Sequence, residues 1–61
     1  MRIKLEDEFL YNLKWVRVFS YNNKYIAKVL FEDQWVVLNA YNYTSIEDCI
    51  KNVTTNLKEL T

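Results

Sequence analysis

The chain has 61 residues, with eight basic and eight acidic side chains, one cysteine, and no glycine, proline or histidine. A chain this short is one domain and buries only about 60% of the surface its unfolded form exposes. One cysteine excludes an intrachain disulfide, and the lack of histidine excludes a Cys/His zinc site and a Ser-His-Asp triad. Without glycine no glycine-rich phosphate loop can form.

Stability therefore has to come from aromatic packing or from a partner chain. Five Tyr, three Phe and two Trp supply the first. The formal net charge of zero argues against a purely electrostatic nucleic-acid binder. The average hides a pattern, because from Phe9 to Phe31 there is no acidic residue and four basic ones, Lys14, Arg17, Lys24 and Lys28. No apolar run is long enough to span a membrane, so no membrane partner is expected. A lone free cysteine fits a reducing cytoplasm.

In chain order, residues 1–12 are the least defined. Ile3 and Leu5 alternate like a short extra N-terminal strand. Glu6-Asp7-Glu8 followed by Phe9-Leu10-Tyr11 reads as a turn or a short helix. Residues 13–20, 24–32 and 34–41 are rich in β-branched and aromatic types and read as three strands. Asn22-Asn23 is the best two-residue hairpin turn that a glycine-free chain offers, since Asn tolerates the left-handed backbone. Glu32-Asp33 or Asp33-Gln34 makes the second turn. No internal repeat is expected.

The first turn fixes a register in which Val16 faces Val29, Arg17 faces Lys28, Val18 faces Ala27 and Phe19 faces Ile26. One face then carries Val16, Val18, Tyr25, Ala27, Val29 and Phe31, joined by Val36, Leu38 and Ala40. The other carries Trp15, Arg17, Phe19, Ile26, Lys28 and Leu30, joined by Trp35, Val37, Asn39 and Tyr41. Either choice of second turn keeps this parity.

Residues 45–60 read as a helix. Ile46, Cys49, Ile50, Val53, Leu57 and Leu60 recur at spacings of three and four as one apolar stripe. Thr44 or Ser45 caps its start, Thr44-x-x-Glu47 matches the capping box, and Glu47 and Asp48 suit the positive end of the dipole. The stripe packs on the face of small residues. The expected architecture is α+β, a three-stranded antiparallel meander over 13–41 with one C-terminal helix on one face.

The candidate site is the other face: Trp15, Arg17, Phe19, Lys28, Leu30, Trp35, Val37 and Tyr41. Contiguous apolar patches mark interaction sites, and Trp, Tyr and Arg dominate interface hot spots. Two structural alternatives compete. Residues 1–12 could fold over this face as a lid, through Ile3, Leu5, Phe9 and Leu10, or a homodimer could stack two such sheets. Catalysis has little to work with. Glu32-Asp33 and Glu47-Asp48 fit a turn and a helix start, Cys49 fits the core stripe, and no cofactor or metal is expected.

Small size, neutral charge, an Asn/Lys-rich composition and an exposed aromatic face resemble the small accessory proteins of bacteriophages and mobile elements, anti-CRISPR inhibitors among them. The resemblance implies a non-enzymatic module that binds a larger host protein or nucleoprotein complex and inhibits a defence or nucleic-acid-processing function. Trp35-Val36-Val37-Leu38, then Tyr43-Thr44-Ser45-Ile46-Glu47-Asp48, resembles a second family. These are the three-stranded-sheet DNA-binding domains of the Apetala type and of phage integrase arm-binding domains. That resemblance implies major-groove binding through Trp15, Arg17, Lys28 and Trp35. Protein binding is the leading expectation, because few cations stand among many aliphatic side chains on this face.

Overall fold

The computed structural model of the chain describes residues 2–37 and 43–59. Four antiparallel strands lie in sequence order: β1 (Lys4–Tyr11), β2 (Lys14–Tyr21), β3 (Lys24–Phe31) and β4 (Gln34–Val36). One helix, α1 (Ile46–Glu59), follows. The expected meander and helix are present, and the short extra N-terminal strand is a full eight-residue strand. Residues 1–12 are no lid: Lys4–Tyr11 is a full edge strand paired to β2. The third expected strand is described only as Gln34–Val36, and its expected continuation over 38–41 lies outside the described residues.

Three two-residue turns build this meander. Asn12-Leu13, Asn22-Asn23 and Glu32-Asp33 all have φ between 47° and 66°. Positive φ at both central residues marks the type I′ turn, whose twist matches that of the flanking strands. The chain makes all three without glycine. The turns fall ten residues apart, and their surroundings repeat: Tyr11-Asn12-Leu13-Lys14-Trp15-Val16, Tyr21-Asn22-Asn23-Lys24-Tyr25-Ile26 and Phe31-Glu32-Asp33-Gln34-Trp35-Val36. Contrary to the sequence expectation, a short repeat is present. Successive copies fall on opposite faces of the sheet because each intervening strand has eight residues, so its first and last side chains point to opposite faces.

The β2–β3 register is the expected one, from Val16↔Val29 to Ser20↔Tyr25. Phe31↔Gln34 settles the second turn as Glu32-Asp33. β1 departs from strict alternation, because the register shifts between Leu5 and Asp7, leaving Glu6 as an extra residue. A bulge of this kind flips side-chain parity. Phe9, opposite Val16, therefore faces the helix, while Leu5, opposite Phe19, lies on the other face.

The helix lies over β2 and β3. Val16, Val18, Ala27 and Val29 from the sheet and Cys49, Val53 and Leu57 from the helix form the buried core. Phe9, Tyr11, Tyr25, Phe31, Tyr43, Ile46 and Ile50 pack around it. The deepest line of the helix is thus Cys49, Val53 and Leu57, spaced by four, with Ile46 and Ile50 at its flank. Ser45 rather than Thr44 starts the helix. Its carbonyl accepts the first helical bond, from Cys49 at 3.1 Å, and its Oγ lies 3.5 Å from the Asp48 amide. Tyr43 exchanges two backbone hydrogen bonds with Tyr25, which holds the chain to β3 just before the helix. At the other end, Asn12 Nδ2 donates to the Leu57 carbonyl at 3.3 Å, tying the first turn to the last turn of α1. No helix among the described residues is long and apolar enough to cross a membrane.

Candidate functional site

The sheet has one covered face and one open face. Pairing partners share a face, so the register sorts the open one into rows across the strands. The first row is Leu10, Trp15, Leu30 and Trp35: Leu10 pairs with Trp15, Leu30 pairs with Trp35, and Trp15 stands one step past the Val16↔Val29 pair. The second row is Glu8, Arg17 and Lys28. Val37 directly follows the end of β4. The third is Leu5, Phe19 and Ile26. Tyr21 and Lys24 close the far end.

Why both tryptophans share one face follows from the ten-residue repeat. The first and third copies place Trp15 and Trp35 on the open face and Tyr11 and Phe31 on the helix side. The second copy is inverted and puts Tyr21 and Lys24 on the open face. Of the eight expected site residues, seven are described: six lie together on the open face, and Val37 directly follows the end of β4. Tyr41 lies outside the described residues. The sequence reading did not place Leu5, Leu10 and Glu8 on this surface. Glu8 carried a signal, since it stands in the acidic run, but only the bulge reveals its side of the sheet.

Arg17 organises the centre. Its Nε donates to Glu8 Oε2 at 2.5 Å, and its guanidinium carbon sits 4.3 Å from the centre of the Trp35 ring. One side chain thus links both edge strands across the open face. Both partners of the ion pair are about two-fifths exposed, so the pair contributes at most about 1 kcal/mol. Its main effect is positional, holding the Trp35 ring down. Lys28 Nζ lies 5.7 Å from the Phe19 ring centre, a looser cation–π contact.

Among the described residues no second layer covers this face. Trp15 is 46% exposed, Leu10 55% and Ile3 69%. The chain's accessible surface is 4702 Å². A folded monomer of this mass is expected to expose about 4200 Å².

On the other side, Cys49 is 1% exposed in the core, and burial pushes its thiol pKa up, which opposes nucleophilic use. Among the described residues no group of three or more His, Cys, Asp or Glu side chains is placed to hold a metal ion. No protein-family model, curated protein or solved structure matches the chain.

Proposed function

We propose that the chain is a non-enzymatic protein-binding module that works through its open sheet face, occupying a surface of a larger protein and thereby inhibiting or modulating it. One observation carries this reading: Leu10, Trp15, Leu30 and Trp35 form a row across the open face, exposed at Leu10 and Trp15 and half-buried at Leu30 and Trp35, with Arg17 held beside it by Glu8 and Trp35. A preformed aromatic–arginine cluster matches the composition of interface hot spots and loses little side-chain entropy on docking. Inhibition of a host defence or nucleic-acid-processing protein, in the manner of small phage accessory proteins, is supported by size and composition. The DNA-binding alternative loses support from the Arg17–Glu8 pair, which cancels one of the few cations on the face.

The test is partner capture by wild type and by Trp15→Ala and Trp35→Ala. Both variants are expected to keep the far-ultraviolet circular dichroism of the wild type and to lose a partner that the wild type retains. Unfolding of either variant would make the face a structural core and end this reading.

A further inference from the structure

The two ends of the open face differ in what they leave unsatisfied. At the tryptophan end the cation is already matched, because Arg17 holds Glu8 and lies on Trp35. At the other end Lys24 and Lys28 have no carboxylate partner among the described residues. Between them runs an apolar groove of about 190 Å³ lined by Ile3, Phe19, Ile26 and Lys28. It is continuous, through Ile3, Ile26 and Lys28, with a hollow of about 330 Å³ that Tyr21 and Lys24 also line. The bulge at Glu6 creates this groove's outer wall, since it turns Ile3 and Leu5 onto the open face. The smaller groove is below the roughly 300 Å³ at which small-molecule pockets begin, so it suits one side chain rather than a whole metabolite.

Resting on the reading of this face as a protein-binding surface, we propose that its Lys24/Lys28 end receives an acidic polypeptide segment bearing a bulky apolar side chain. The apolar side chain enters the Ile3–Phe19–Ile26 groove, and flanking carboxylates take the two lysines. Charge selects this occupant over the others. Arg17, Lys24 and Lys28 against Glu8 give the face a net charge of +2. A second copy stacked on the same face would bring like charge against like and leave all four lysines of the pair without carboxylates. A nucleic acid would meet only two unmatched cations in a field of aliphatic carbon, too few for phosphate-driven affinity. An acidic, apolar protein segment satisfies both the lysines and the groove. Its carboxylates also accelerate encounter, because the face attracts them from a distance.

The probe is a displayed library of random peptides selected on the wild type and on the Lys24→Glu/Lys28→Glu variant, with synthetic copies of enriched peptides titrated afterwards. Wild type is expected to enrich peptides in which Asp or Glu flanks Leu, Ile, Phe or Trp. The double variant should bind them about tenfold or more weakly and more so at low salt. Ile26→Ser should weaken them while leaving the salt dependence unchanged. Several results would overturn the inference. Enriched peptides free of acidic residues, yet lost on Trp15→Ala, would reject the acidic partner and leave the face as a binding surface. Enrichment insensitive to every substitution on the face, or no enrichment, would reject both. A duplex DNA bound more tightly than the peptides, or a dimer in sedimentation that masks Lys28, would assign the end to nucleic acid or to a second copy.

Discussion

The two faces of the sheet are built from the same strands and obey opposite rules. Toward the helix stand Val16, Val18, Ala27 and Val29, small side chains with Val16, Val18 and Val29 at 0% exposure. Away from it stand Trp15, Arg17, Phe19, Lys28 and Trp35, large side chains with polar heads or broad rings. Small β-branched groups let a helix approach closely enough to exclude water. Large amphipathic groups stay useful without a cover, because rings and alkyl stems shelter one another while charged ends remain wet. Small side chains at the centre of a face, with Phe9, Tyr11, Tyr25 and Phe31 packed around them, therefore mark which face of this sheet is core. Leu10 and Trp15 are as apolar as anything in the core and are half exposed all the same.

The largest effect that could break this contrast is on the helix side. Val53, 3% exposed, sits in the middle of the line from Cys49 to Leu57. Val53→Asp should unfold the chain, because an unpaired buried charge costs several kcal/mol, on the order of the whole stability of a domain this small. A cooperative thermal transition near that of the wild type would show that α1 does not seal this face. Ile50, at the flank of the line, is a weaker site for the same substitution.

A second effect sets the faces against each other within one strand. Val18→Ala removes two fully buried methyl groups and is expected to cost about 2–3 kcal/mol in denaturant unfolding. Trp15→Ala removes a far larger side chain that is half exposed. It should cost less than Val18→Ala, which reverses the order that side-chain size alone gives. If Trp15→Ala proves the more damaging, the open face is a second core.

Much of this division was legible in the sequence. Alternation over 13–20 and 24–31, with Asn22-Asn23 between, is enough to fix the β2–β3 register and to sort both faces, because a strand has a period of two and a two-residue turn leaves no freedom. The helix stripe was legible for the same kind of reason. β1 was not. Glu6-Asp7-Glu8 is a poor strand sequence by propensity. Its apolar residues also change phase at the bulge, so Ile3 and Leu5 go to one face while Phe9 and Tyr11 go to the other. What makes it a strand is tertiary: Glu8 meets Arg17, Ser20 Oγ donates to Glu6 at 2.6 Å, and Phe9 covers the core. The turn that precedes β2 was hidden too, since Asn12-Leu13 places leucine where asparagine or glycine is usual.

Leu13 belongs to neither face and isolates the cost of that turn. It is 92% exposed with φ at 65°, so its side chain contributes little packing while its backbone is held in the left-handed region. That region costs a residue with a Cβ about 1–2 kcal/mol. Leu13→Gly also creates Asn-Gly, the favoured type I′ pair, at an entropic cost of roughly 0.5–1 kcal/mol. The net expectation is a stabilisation of up to about 1 kcal/mol, a rise of a few degrees in Tm. A fall in Tm would mean that Leu13 packs where its exposure says it does not.

The smallest effect probes how dry the helix side is. Cys49 is buried in the core, and its thiol pKa is raised above the ordinary value by burial. The folded chain therefore favours the neutral thiol, whereas the unfolded chain releases the proton at the ordinary thiol pKa. Stability contributed this way is complete below that unfolded pKa and is lost as pH rises toward the folded one. Chemical unfolding across the alkaline range should thus show a decline that Cys49→Ala lacks, a comparison that cancels the tyrosines and lysines common to both. Alkylation of Cys49 in the native protein should also be slow and should track global unfolding rather than thiolate formation. Rapid alkylation at neutral pH would mean that water and reagent reach beneath the helix. The covered face would then differ from the open one only in degree.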